Sequence, residues 1–184
     1  MKFIFIKIII IMLAFNVYSL EVTLTQGSVK PTPIAITNFF TNNSNLEKVG
    51  KNISNVISDN LERSGLFLPL NRKSFIQDNK SLSQNPRFED WKLIKAQHLV
   101  AGKIKSNNGK ITVEFSLYDV FKQKQLVKKR YATGEQNWRR VSHMISDSIF
   151  KTITGEGGYF DTRIVYVAET GPKDKKQKRL AIMD

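Results

Sequence analysis

The sequence predicts an α+β domain: a mixed β-sheet with two main helices packed on one face. Three observations lead there. Two segments, 45–63 and 136–153, repeat apolar residues every three to four positions, the period of an amphipathic helix. Several shorter runs alternate or cluster β-branched residues at strand length. Their order is strand, helix, strand, short helix, meander, helix, which brings parallel and antiparallel pairing into one sheet.

The elements follow in chain order. Lys2 and Lys7 precede an apolar run from Ile8 to Phe15, and Val17-Tyr18-Ser19 offers smallish residues at the −3 and −1 positions. That is the pattern of a secretory signal over 1–19, cleaved between Ser19 and Leu20. A retained anchor is the alternative, but Lys7 and Asn16 leave far fewer than the roughly 20 apolar residues a span needs. Leu20 to Gly27 alternates as a short strand, and Ser28 to Pro33 reads as a hinge, so 20–33 is set apart from a domain at 34–158. Ile34 to Phe40 has strand length. The first long helix carries Leu46, Val49, Ile53, Val56, Ile57 and Leu61 on one face, with Ser44 and Glu47 spaced as a capping box and Gly65 as its stop.

Leu66 to Leu70 is a short strand that Pro69 assigns to an edge. Asn71 to Arg87 reads as a surface loop with at most one helical turn. Phe88 to Ala96 reads as a short helix with Trp91 and Ile94 inward. Asn108-Gly109 between two β-rich runs, 98–104 and 110–118, is a strong hairpin signal. In the second run Ile111, Val113, Phe115 and Leu117 alternate with polar residues, which predicts one buried and one solvated face. Gln125 to Thr133 returns as a third antiparallel strand. The last helix, with Val141, Ile145, Ile149 and Ile153 in one stripe, stops at Thr154-Gly155, and Gly157-Gly158 keep it from restarting. Ile164 to Ala168 is an extended run with apolar residues on both faces.

Composition narrows the function classes. With no cysteine, an exported domain is stabilised by its apolar core rather than by disulfides. No later segment approaches spanning length, so the mature chain is expected to be soluble. The 29 basic and 16 acidic residues give +13; without Lys2 and Lys7 the balance is 27 against 16, or +11. Such an excess suits nucleic acid, an anionic membrane surface or an acidic partner. An AT-rich coding sequence, rich in Lys, Asn and Ile, accounts for the same numbers.

One constellation is more specific. Arg140, His143 and Asp147, then Thr154-Gly155-Glu156, Gly158, Phe160, Asp161-Thr162-Arg163-Ile164 and Tyr166-Val167, resemble the TolB family of the Tol-Pal envelope system. Phe39, Ser64-Gly65-Leu66-Phe67, Trp91, Val100-x-Gly102 and Leu117-x-Asp119-Val120 extend the resemblance over nearly all of 20–168. It implies a periplasmic, non-enzymatic interaction module that serves outer-membrane integrity and cell division, without cofactor. It implies further that Arg140, His143, Asp147, Gly155, Gly158 and Arg163 form a structural motif at the exit of the domain. By the same resemblance Glu21, Val22, Thr23, Leu24, Thr25 and Gln26 dock on the C-terminal domain of TolA or fold back onto their own protein. In that family a six-bladed β-propeller follows and carries the surface for Pal. Residues 159–184 supply at most two strands of a first blade. The propeller is therefore expected to be essentially absent, as in a fragment or an interrupted gene. On that reading 169–184 is poorly ordered or loosely docked, and Ile164 to Val167 and Leu180 to Met183 are apolar edges without a partner.

Chemistry is sparse. His143 and Asp147 are four apart on one helix face, whereas Ser142 points about 100° away, which argues against a triad. Asp147 is expected to orient His143 or to pair with Arg140 or Arg139. A metal set would need His143, Asp147 and a distant Glu156 or Asp161, too dispersed for zinc. Thr154 to Gly158 is glycine-rich but follows a helix and lacks the lysine of a phosphate loop. Lys128-Lys129-Arg130-Tyr131 and Trp138-Arg139-Arg140 interleave cations with aromatics, the composition of a nucleic-acid or anionic-surface site, which is the alternative reading.

Overall fold

The computed structural model describes residues 30–82 and 85–183. The predicted signal, its cleavage point at Ser19–Leu20 and the Glu21–Gln26 strand lie outside the described residues. Five strands form one sheet in the order β2-β1-β3-β4-β5: β1 (Thr32–Ile36), β2 (Phe67–Pro69), β3 (His98–Asn107), β4 (Lys110–Asp119) and β5 (Lys124–Gly134). β1 runs parallel to both β2 and β3, while β3, β4 and β5 form an antiparallel meander. The expected mixed sheet is therefore present, with β2 at one edge, where Pro69 leaves no ladder bond unmade.

Two helices, α1 (Glu47–Arg63) and α4 (Trp138–Thr154), share one face of this sheet. The helical stripe explains why. Leu46, Ile53, Ile57 and Leu61 from α1 meet Val141, Ile145 and Ile149 from α4 over Ile34, Ile36, Val100, Ile104, Val113, Phe115 and Leu117. Successive strand residues point to opposite faces, so Ala35, Leu99 and Ala101 look the other way. There they pack beneath α2 (Asn79–Leu82) and α3 (Phe88–Leu93), through Leu82 and Trp91.

Four local expectations are corrected. The Ser44–Glu47 capping box does not form: a 3-10 turn, Ser44–Leu46, precedes α1, and the Asn43 side chain accepts from the Asn45 N–H at 3.0 Å. Ser44 thus lies inside a helical turn rather than ahead of it. The segment 71–87 is more than a surface loop. Asn71 and Asp78 each accept backbone N–H groups to start a short turn, and Leu82 and Gln77 are buried against the second face of the sheet. The polar face of β4 is not fully solvated, because Glu114 and Ser116 are buried there. Finally, the expectation that 169–184 is poorly ordered is corrected through Met183, while that of loose docking is left as it stands. β6 (Ile164–Thr170) and β7 (Gln177–Met183) pair antiparallel along their whole length, so the apolar edges partner each other. Their faces stay open, with Ile164, Val165, Val167, Leu180 and Ile182 all exposed.

The hairpin turn is as the sequence spells it. Asn108 and Gly109 both take positive φ, 49° and 72°, the backbone that a two-residue turn between right-twisted strands demands.

Candidate functional site

Of the motif residues, Asp147 and Gly158 meet where the chain folds back after α4, Arg140 reaches the same segment, Gly155 ends the helix, and His143 faces α1 instead. Gly155 adopts φ 81°, the left-handed conformation that ends a helix, and its N–H bonds the Lys151 carbonyl at 2.9 Å. The chain then folds back along α4. One Asp147 carboxylate oxygen accepts the Phe160 N–H at 2.7 Å and the other accepts the Asp161 N–H at 3.0 Å. Gly158 passes directly over this carboxylate, where a β-carbon would overlap the Asp147 side chain. Arg140, two turns earlier, donates from Nε to Asp161 at 3.3 Å. The expected pairing of Asp147 with Arg140 or Arg139 is therefore corrected: Arg140 takes Asp161, and Asp147 acts as a clamp on the backbone of the exit segment. Arg163 stands exposed just before β6 and does not join the clamp.

Aromatic packing completes the seat. Tyr159 and Phe160 place their rings 5.7 and 5.8 Å from Phe150 in edge-on geometry, and Phe150 meets Phe67 of β2 at 6.2 Å. The exit segment is thus bound to the same core that holds α4 on the sheet.

His143 belongs to the seam between α1 and α4. Asn60, 1 % exposed, accepts from Arg63 Nη2 through Oδ1 at 2.8 Å, which turns its amide nitrogen toward α4. That nitrogen lies 2.9 Å from His143 Nδ1 and donates to Ser146 Oγ at 3.0 Å. The Asn60 amide nitrogen thus faces His143 Nδ1 as a donor. Ser142 and Ser146 donate to the helix carbonyls of Trp138 and Ser142. These hydroxyls are tied to backbone, and the Asp147 carboxylate faces linker amides, so Ser142, His143 and Asp147 are arranged as packing polar groups and not as nucleophile, base and orienting acid. Among the described residues no group of three or more His, Asp or Glu gathers closely enough to hold a metal ion. Beside the seam, Arg63, Arg139, His143, Tyr159 and Met183 border an open groove of about 320 Å³ between the domain and the β6–β7 hairpin.

Sequence reasoning missed Asn60, because a polar residue on a helix carries no sign of what it faces. It also missed Glu114, which sits mid-strand with three cations around it. Lys103 and Lys128 approach Oε1 at 3.0 and 3.5 Å, and Arg130 bonds Oε2 at 2.8 Å. Burial alone would raise this carboxyl, but the hydrogen bonds from Arg130 and Lys103 and the charges of Lys103 and Lys128 outweigh it, holding the pKa down to about 2. A depressed carboxylate stabilises the fold fully above its unfolded value near 4.5, and that contribution is lost as pH falls towards 2. The urea midpoint should accordingly fall across this window. A Glu114→Gln variant, less stable at pH 7, should fall less steeply; equal slopes would remove Glu114 as the cause.

The same rung decides how cations and aromatics are distributed. Lys128 and Arg130 project to the Glu114 face, whereas Tyr131 projects to the helix face and stacks on Phe115 at 6.4 Å and 7°. Trp138 packs against the core. Tyr131 thus shares its face with Lys129 alone, while Lys128 and Arg130 stand on the other, so the run of cations is divided between the two faces of the sheet.

The exit clamp makes a direct prediction. Asp147→Ala leaves the Phe160 and Asp161 N–H groups without their acceptor, which frees the segment that folds back along α4. Amide exchange at Phe160 and Asp161 should accelerate well beyond any change at Ile145 or Ile149. Uniform acceleration throughout α4 would instead mean that Asp147 supports the helix itself.

Known proteins resemble this chain over most of its length. The family model described as the TolB amino-terminal domain matches residues 20–126. The Tol-Pal system protein TolB of Paramagnetospirillum magneticum is 48% identical over 165 residues, covering 89% of this chain and 37% of that protein. The crystal structure of TolB from Acinetobacter baumannii superposes with a TM-score of 0.68 at 26% identity, over 84% of this chain and 37% of that one. The chain thus spans little more than a third of the length of these relatives.

Proposed function

The chain belongs to the TolB family, and from that premise we propose that it is a non-enzymatic interaction module of the Tol-Pal system, acting in the periplasm. In this reading residues 1–19 are a signal removed between Ser19 and Leu20, 20–33 form a partner-binding strand and hinge, 34–158 form the domain, and 159–184 begin a propeller blade. The strand Glu21-Val22-Thr23-Leu24-Thr25-Gln26 docks on the C-terminal domain of TolA by adding to its sheet, with main-chain hydrogen bonds supplying affinity and alternate side chains specificity. Through that contact the protein serves outer-membrane integrity and envelope invagination during division, whereas Pal binding belongs to the family's propeller, of which 159–184 give at most two strands.

The observation that carries the reading is the family match over residues 20–126, which takes in both the Glu21–Gln26 segment and most of the sheet. Two further features support it. Among the described residues no helix is long and apolar enough to cross a membrane. The exit segment is clamped at Asp147, which suits a scaffold that holds a following unit in place.

Calorimetry with the purified C-terminal domain of TolA tests it, comparing residues 20–184 with 28–184. Binding that disappears without Leu20 to Gly27 supports the strand mechanism. Equal binding by both chains refutes it, and absence of binding by either refutes the TolA assignment.

A further inference from the structure

We propose that the free edge of β5 is a docking site for an extended, acid-rich segment of another protein, which adds to the sheet as a sixth strand. The argument starts from the two edges. β2 is three residues long and ends in Pro69, so it offers little to a partner. β5 is eleven residues long and is the outer strand on the opposite side. Among the described residues no strand pairs with this outer edge, and an edge of that length presents a row of backbone donors and acceptors.

The side chains on β5 select the occupant. Lys128 and Arg130 stand on one face, paired across to Ser116 and Glu114, and Lys129 stands between them on the other face, across from Phe115. A second copy of this strand would set Lys128, Lys129 and Arg130 against like charges, so self-pairing is opposed. A strand bearing carboxylates reverses the sign of that interaction. The rung already accepts a carboxylate: Glu114 lies within 3.5 Å of Lys128 and 2.8 Å of Arg130. Both cations nevertheless remain largely exposed, at 52% and 70%, although each pairs with Glu114. On the helix face, Val127 and Tyr131 are only half-buried at the rim of the core, where an incoming strand would cover them.

The ligand is therefore an extended segment with Asp or Glu at every second position, directed to the Lys128–Arg130 face, and β-branched residues between. This site receives a strand. It is separate from residues 20–27, which the proposed function has giving one.

Fluorescence anisotropy on the full chain tests the proposal, using labelled ten-residue peptides. The first alternates Glu with Thr, the second alternates Lys with Thr, and the third has the composition of the first with its Glu residues in one block. Two more copies of the first carry N-methyl groups on one or the other alternate set of backbone nitrogens. The alternating acidic peptide should bind at least about ten-fold more tightly than the basic and the block peptides. One methylated copy should lose about ten-fold and the other should not, because only one set of N–H groups faces the edge. Lys128→Glu combined with Arg130→Glu should abolish binding. The methylated peptides leave the protein unaltered, so the result stands even if that double variant folds poorly. Equal binding of the alternating and block acidic peptides, or indifference to both methylation patterns, would reduce the edge to a plain basic surface and overturn the proposal.

Discussion

Trp91→Ala is expected to lower the unfolding free energy by about 3–5 kcal/mol, the range for removing a buried large aromatic. Total stability of a domain is typically about 5–15 kcal/mol, so the variant should sit near the limit of folding. The size of the effect follows from what Trp91 holds. It is 1 % exposed, at the centre of the cluster formed by Leu82, Ala96, Leu99, Ala101 and Val120 on the second face of the sheet. Phe75 meets its ring edge-on at 5.1 Å. Its Nε1 donates to Gln77 Oε1 at 3.2 Å, and the same oxygen accepts the Arg87 N–H at 2.9 Å, while Gln77 Nε2 reaches the Asn85 carbonyl at 2.8 Å. One indole therefore ties α3 to Phe75 and to Gln77, which in turn holds Asn85 and Arg87. Trp91→Phe keeps most of the apolar volume and loses the donor, so it should be intermediate. Urea denaturation followed by circular dichroism reads both. A loss below about 1 kcal/mol in the alanine variant would show that the connection, not the indole, closes this face.

Gly50→Ala should destabilise as well, against the sign that helix propensity assigns. Gly50 lies inside α1, where alanine is ordinarily better by about 1 kcal/mol. Here the helix lies so close to the chain leaving β1 that an added β-carbon would overlap the Phe39 carbonyl oxygen. Backbone cannot swing aside as a side chain can. Ser54 keeps the approach tight: its hydroxyl donates to the Thr37 carbonyl at 2.8 Å, lies 2.9 Å from the Gly50 carbonyl and accepts the Phe39 N–H at 3.2 Å. Moving α1 outward to admit a methyl group would break that set, and overpacking of this kind costs about 1–3 kcal/mol. A midpoint equal to or above that of the parent would mean that α1 stands further from β1 than the structure has it.

These cases show where sequence was legible. The two long helices, the Asn108-Gly109 hairpin, the edge position of Pro69 and the glycine stop at 155 were readable because each depends on neighbours within a few positions. Trp91 was recognised as inward, but the face it covers was not. The loop 71–87 has no periodicity, and its buried Leu82 and Gln77 are visible only once the strands beneath them are assembled. The resemblance marked Arg140, Asp147 and Gly158 as one motif without saying how they act. Asp147 grips amides thirteen and fourteen residues downstream, and Gly158 is small because it lies over that carboxylate.

By itself, then, the sequence determined the kind and order of the elements, the family, and the apolar stripes that form the core, since spacing along a chain dictates which residues share a face. Only the tertiary structure decided which polar groups meet. Asn60 finds His143 across two helices, Glu114 gathers Lys103, Lys128 and Arg130 across three strands, and Asp147 finds the backbone of the exit segment. A hydrophobic side chain is satisfied by any apolar neighbour, so its burial can be read from pattern. A hydrogen bond needs one donor at one distance and angle, and that partner exists only after distant segments have been packed together.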